Sequence, residues 1–172
     1  MVIRDWSSDV CSSDLPGGAK LDKLAQQGDA KYVRFTRARL DNDSYQFSFS
    51  GLKTAVALYL SKLLPEELAA HKADIAAAFQ EAVADVLVEK TVRAAREFRH
   101  EHVTISGGVA ANSRLRSLLA ERLQAEGKRL FYPPMSLCTD NAAMIAAAGF
   151  YRFQKEGAGD LTANAVPYLK LT

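Results

Sequence analysis

Apolar and polar positions along this chain repeat mostly with the period of a helix, broken by short stretches that alternate like a strand. Pro16-Gly17-Gly18 reads as a turn, and Lys20 to Gln27 as a short helical stretch that stops at Gly28. Lys31 to Leu40 alternates loosely through Tyr32, Val33 and Phe35, which fits either a strand or an extended loop. Asp41-Asn42-Asp43-Ser44 predicts a loop. Tyr45 to Phe49 alternates aromatic with small or polar residues and predicts a short strand, after which Ser50 is placed to cap a helix running to about Leu64. Leu64-Pro65-Glu66-Glu67 marks a new helix start, with proline in the first turn and acids at the positive end of the dipole. That helical stretch runs to about Phe98, with a break near His71, and carries an apolar stripe of Ile75, Phe79, Val83, Val86 and Leu87. His102 to Ser106 predicts a strand with Val103 and Ile105 on one face. Gly107-Gly108 then turns the chain into a helix from about Asn112 to Glu126. Arg129 to Tyr132 predicts another strand, stopped by Pro133-Pro134. A last helix is expected from about Thr139 to Lys155, and the tail from Gly157 reads as loop.

Strands alternating with helices argue an α/β fold. Only two or three strands stand among four or five helices, fewer than a parallel sheet with both faces covered normally has, so the pattern reads as part of a domain. Composition narrows the class further. The chain has 172 residues, is 48% hydrophobic and 24% charged, and carries a formal net charge of +2. That is globular and excludes a disordered, collagen-like or disulfide-dense chain. The near-neutral balance neither requires nor excludes nucleic acid; a tRNA partner needs a local patch. No apolar run approaches a membrane span and no secretory h-region follows Met1, so the expected address is the cytoplasm. Cys11 and Cys138 match no metal spacing.

Residues 1–15 differ from the rest. Ser-Ser-Asp occurs twice, and the apolar residues are too scattered for either period. Two readings fit: a disordered polar N-terminus, or a non-native segment. Asp5 to Leu15, DWSSDVCSSDL, looks like the conceptual translation of a sequencing-library adapter, and the expected domain therefore spans residues 16–172.

Three motifs carry chemical content. In Ser106-Gly107-Gly108-Val109-Ala110-Ala111-Asn112 a strand ends in a double glycine before a helix. Such a turn lets backbone approach a ligand, and the helix start favours anions or polar heterocycles. Asn112 can donate and accept, which suits a ribose or base edge; the plainer reading is a tight turn with Asn112 as N-cap. In Cys138-Thr139-Asp140-Asn141-Ala142-Ala143-Met144, Asp140 stands where an N-cap would. The small-residue run that follows predicts a helix packed closely on all sides. One carboxylate there could bind a divalent metal but is not a metal site, and His71, His100 and His102 are not evident co-ligands. In Phe47-Ser48-Phe49-Ser50-Gly51-Leu52-Lys53-Thr54, Lys53 sits in the first helical turn, where the dipole disfavours a cation. It either faces an anion or reaches into water.

Taken in order, PGG, FSFSGLKTA, SGGVAANSRLR and CTDNAAMIAAAG resemble the C-terminal half of the TsaD family, the tRNA N6-adenosine threonylcarbamoyltransferases. The resemblance runs from about Pro16 to the C-terminus. It implies part of an actin-like (sugar kinase and Hsp70-like, ASKHA) ATPase fold of two α/β domains around a cleft. It implies transfer of a threonylcarbamoyl group from threonylcarbamoyl-AMP to the adenosine beside the tRNA anticodon. By the same resemblance Asp140 is a ligand of one iron or zinc ion. Asn112, in the turn of Gly107 and Gly108, contacts the bound adenylate, threonylcarbamoyl-AMP, or an ATP-like nucleotide, and Gly18 is a substrate contact. The bacterial partners would be TsaB and TsaE.

Two features depart from the family pattern. Leu15 stands where the family has tyrosine before PGG, and Ala19 where it has proline. The family's HxxxH metal motif and phosphate-binding loops are not in this chain. The site expected here is a half-site, and the chain alone is expected to be inactive. Two other readings compete: a nucleotide-binding or partner-docking fragment without turnover, and a related actin-like O-carbamoyltransferase, against which FSFSGLKT argues.

Overall fold

The computed structural model describes residues 17–37 and 44–160. The adapter-like stretch, Leu15, most of the Asp41–Ser44 loop and the end of the Lys31–Leu40 segment lie outside the described residues. The chain divides into two units, one ending at Cys138 and one beginning at Thr139.

The first unit is built around one long helix. In chain order come α1 (Gly17–Ala25), α2 (Ser50–Leu60), α3 (Pro65–Ala70), α4 (Lys72–Glu97), β1 (His102–Thr104), α5 (Ser113–Ala125) and β2 (Arg129–Phe131). Alanine-rich sequence favours α4 intrinsically, and its small side chains let other helices approach it from several sides. Three apolar clusters use three of its faces. Ala76 and Ala77 meet Ala25 of α1. Ile75, Ala78 and Ala82 meet Leu52 and Val56 of α2 together with Phe35. Ala84, Val88, Val92 and Ala95 meet Leu115, Leu118, Leu119 and Leu123 of α5, with Val103, Ile105 and Leu130 of the sheet packed alongside. The buried surface of α4 is thus wider than the expected stripe, because alanines contribute as much of it as the larger residues.

β1 and β2 pair in parallel, Val103 opposite Leu130, and α5 is the crossover between them. The break at His71 falls where expected, and Leu64 N–H donates to the Glu67 carboxylate at 2.9 Å, closing the start of α3. α4 and α5 end alike. In each the chain passes through a left-handed residue, Arg99 (φ 54°) after α4 and Gly127 (φ 68°) after α5. The next N–H reaches back into the last turn: His100 to the Ala95 carbonyl at 2.9 Å, Lys128 to that of Leu123 at 2.8 Å.

Three expectations change. Tyr45 to Phe49 forms no strand; it runs beside α4 as irregular backbone. Lys90 donates to the Gln46 carbonyl and stands 5.3 Å from the Phe47 ring. Arg93 donates to the Ser44 carbonyl at 3.0 Å and stands 4.5 Å from the Tyr45 ring. The aromatic alternation is answered by cations on a helix, not by a neighbouring strand. Ser50 is the first residue of α2 rather than its cap; Phe49 holds the cap position without a side-chain bond.

The third change is in the second unit, whose described part is α6 (Ala142–Glu156) and its flanks. Its cap is Asn141, whose Oδ1 accepts from Met144 N–H at 3.0 Å, so Asp140 is not the cap. The small-residue run was expected to be packed, yet every residue from Ala142 to Asp160 is exposed, Ile145 at 66%. Small residues permit close packing; they do not supply the partner.

Candidate functional site

The double-glycine turn sits at the end of β1. Gly107 takes φ 83° and ψ 175°, a backbone that a side chain would strain. Gly108–Ala111 then makes a short 3-10 turn, held by Ala110 N–H on the Gly107 carbonyl and Asn112 N–H on that of Val109, each at 3.0 Å. Asn112 leaves the turn extended and caps α5, its Oδ1 accepting from Leu115 N–H at 2.9 Å. The plainer expectation for Asn112 is therefore met, and the same oxygen does more.

Gln80, buried on α4, donates from Nε2 both to Asn112 Oδ1 at 3.1 Å and to Asp22 Oδ1 at 2.6 Å. Asp22 Oδ1 also accepts from Ser113 Oγ at 2.8 Å and Ser113 N–H at 3.2 Å, while its Oδ2 accepts from Gln26 at 3.1 Å. A carboxylate of α1 thus occupies the positive N-terminal end of α5. Nearby, Arg114 pairs with Glu81 of α4 through Nη2 at 2.8 Å and holds its carboxyl below the usual carboxylate range.

Gly18 lies in the exposed first turn of α1, one helical turn before Asp22 and on the same face. A Cβ built on it would meet nothing within 4 Å, so open space rather than protein stands over it. The fold therefore carries Gly18, through Asp22, to the start of α5 where Asn112 sits. Gly107 and Gly108 are also exposed with open space above them. Asp140 is exposed and belongs to the second unit. Lys53 is exposed on α2.

Sequence reading missed three residues. Asp22 had a signal, its spacing from Gly18. Gln80 had another, a lone amide among alanines and valines. Arg116 had none: its guanidinium donates to the carbonyls of Ala110 and Pro133 (the latter at 3.1 Å), meets Cys138 Sγ at 2.9 Å and stacks on Tyr132. It ties the turn to the Pro133–Cys138 segment.

The resemblance also implies a metal. Among the described residues no three His, Cys, Asp or Glu side chains gather to hold one. His71 is engaged with Asp74 and stacked on Tyr32, and His102 contacts Arg129. Asp140 offers a single donor, which does not make a metal centre. The described residues do not fit the group by themselves.

A parallel βαβ unit with a glycine-rich turn and a polar cluster at a helix start places the chain in the α/β class. Comparison with known proteins makes this specific. Residues 5–147 match the model of the family TsaD, tRNA N6-adenosine threonylcarbamoyltransferase, and the chain belongs to that family. Relatives bearing that same name include one from Moorella thermoacetica, 46% identical over 156 residues, and one from Clostridium botulinum strain Kyoto, 44% identical over 156. Each alignment covers 91% of this chain and 46% of the relative, so the chain spans about half their length. Among solved structures, HypF of T. kodakarensis superposes with a TM-score of 0.58 at 23% identity, over 81% of this chain and 17% of that one. That likeness supports the α/β fold alone.

Proposed function

We propose that this chain is one half of a tRNA-modifying transferase, moving a threonylcarbamoyl group from threonylcarbamoyl-AMP to an adenosine of tRNA. The family match over residues 5–147 carries the reading. In this reaction the adenosine N6 amine attacks the carbamoyl carbonyl carbon, the bond from that carbon to the phosphate oxygen breaks with its electron pair leaving on AMP, and the amine gives up one proton to solvent. This chain's part is to bind and orient the adenylate. Gly107 and Gly108 give it access to backbone, Gly18 lines the facing helix, and Asn112 presents its amide to the ribose or base. Holding the adenylate still converts part of the entropic barrier into binding. No side chain here is assigned as a nucleophile.

The wider setting belongs to the same proposal. It places this fold as part of an actin-like two-domain cleft in a cytoplasmic enzyme, with TsaB and TsaE as bacterial partners. Asp140 would then be one of several metal donors, the others lying outside this chain. No helix among the described residues is long and apolar enough to cross a membrane, which is consistent with a tRNA substrate.

The test is complementation. Residues 17–172 are joined behind the preceding half of the Moorella relative and assayed with threonylcarbamoyl-AMP, tRNA and partner proteins. The fusion should modify tRNA, and the 172-residue chain alone should not. A correctly folded fusion that binds tRNA and the adenylate without transfer would favour a binding fragment instead.

A further inference from the structure

Gln80 is an unusual residue for its place. It is 5% exposed on a helix whose other buried positions are almost all alanine and valine. Its Oε1 is buried with no hydrogen-bond partner among the described residues. A buried amide with an orphaned acceptor is less favourable than an apolar side chain of similar size, so packing does not explain it. Its Nε2, by contrast, is doubly used, on Asp22 Oδ1 and Asn112 Oδ1. The orientation is fixed chemically. Turned the other way, Oε1 would face two acceptor oxygens, one of them a carboxylate.

The consequence falls on Asn112. Its Oδ1 receives both Gln80 Nε2 and Leu115 N–H. With the oxygen held inward by two donors, the Nδ2 donor is the end left to face a ligand. We propose that Gln80 is a positioning residue for the nucleotide site. It locks the Asn112 amide so that the site offers a hydrogen-bond donor to an acceptor atom of an adenine nucleotide, and it aligns Asp22 beside it. The inference rests on the nucleotide reading above and adds which end of Asn112 reads the ligand and what sets it.

ATP binding to the fusion of residues 17–172 behind the preceding half of the Moorella relative, followed by ligand-observed NMR, tests this. Gln80→Met keeps length and apolar fit and removes the donor; its affinity should fall at least tenfold while far-UV dichroism stays helical. Gln80→Glu supplies the more discriminating readout. Ionised, it repels Asp22 and the Asn112 oxygen. Protonated, its carboxyl again donates, and burial beside Asp22 raises the pH at which that happens. Its affinity should be weak at pH 7.5 and return to within threefold of wild type by pH 5.5, whereas the Met variant gains nothing on acidification. A residue that only filled space would give no such recovery. Unchanged affinity in Gln80→Met, or a Glu variant without acid recovery, overturns the role of Gln80 and leaves the nucleotide reading standing. Absence of ATP binding by the unsubstituted fusion at millimolar ligand overturns the nucleotide reading, and this inference with it.

Discussion

The chain starts two helices in the same local way and supports them very differently. Asn112 caps α5 through Leu115 N–H and Asn141 caps α6 through Met144 N–H, at 2.9 and 3.0 Å. Around Asn112 the rest of the first unit closes in: Gln80 and Asp22 bind its side chain and its neighbour, and Leu119 and Leu123 behind it are 1% and 0% exposed. Around Asn141, among the described residues, the contacts come from its own turn, with Nδ2 donating to the Thr139 carbonyl at 3.0 Å, and the helix it opens is exposed throughout. A cap is a local property written in a few residues. A polar cluster of this kind needs side chains from distant elements, and among the described residues the first region brings them together.

The sharpest way to break this comparison is at two glycines. Gly28 follows α1 where the chain touches α4, and a Cβ there would lie 2.1 Å from the Ala73 carbonyl oxygen. Neither backbone can yield without separating α1, and with it Asp22, from α4. Gly28→Ala should destabilise the first unit by about 3 kcal/mol or more, the upper range for overpacking. Gly149, in α6, has nothing within 4 Å of the same built atom. Gly149→Ala should raise helix content, stabilising by up to about 1 kcal/mol because alanine is the better helix former. Urea unfolding and far-UV dichroism of the pair check this. A mild Gly28→Ala would mean that α1 does not depend on that contact.

The two caps come next. Asn112→Ala loses a cap and leaves Gln80 short of an acceptor, so a loss of about 2 kcal/mol is expected. Asn141→Ala should cost about 1 kcal/mol, all of it local to α6. Equal effects would show that Gln80 adds nothing at Asn112. Asp140→Asn belongs beside them. The cap is Asn141, so this change should alter helix stability by less than about 0.5 kcal/mol. In the complementation fusion it should abolish most transfer. Full activity with Asn at that position would remove Asp140 from the site.

What the sequence disclosed follows the same division. Helices with a strong period and a clear start, α4 and α5 above all, were legible, as were the βαβ order and Asn112 as a cap, since each depends on neighbours in the chain. The strand expected at Tyr45 to Phe49 failed because its aromatic alternation is met by Lys90 and Arg93, more than forty positions away. The buried α6 failed because small residues do not name what covers them. The turn and its glycines were readable as a motif, but the Asp22–Gln80 network was not, because α1, α4 and α5 meet only in the folded chain.

The smallest expected effect concerns acid. Among the carboxyls of the first unit held below their ordinary range are Glu81, chiefly by its hydrogen bond with Arg114, and Asp74, chiefly by Asp29 N–H at 2.8 Å, with His71 adding to it. A carboxyl whose folded pKa is lowered stabilises the fold fully above its ordinary value, near 4, and loses that contribution as pH falls through the folded value. Both pairs are partly exposed, so solvent screens them and the effect is modest. Glu81→Gln and Asp74→Asn should each lower the urea midpoint at pH 7, and the difference from wild type should shrink as pH falls from 4 toward 3. The gap should also narrow in high salt for Glu81→Gln, whose partner is a cation, and much less for Asp74→Asn, whose first partner is a backbone N–H. A gap that stays constant with pH would mean that these carboxyls act through packing rather than charge, and that the first region owes its order to its apolar clusters and amide network alone.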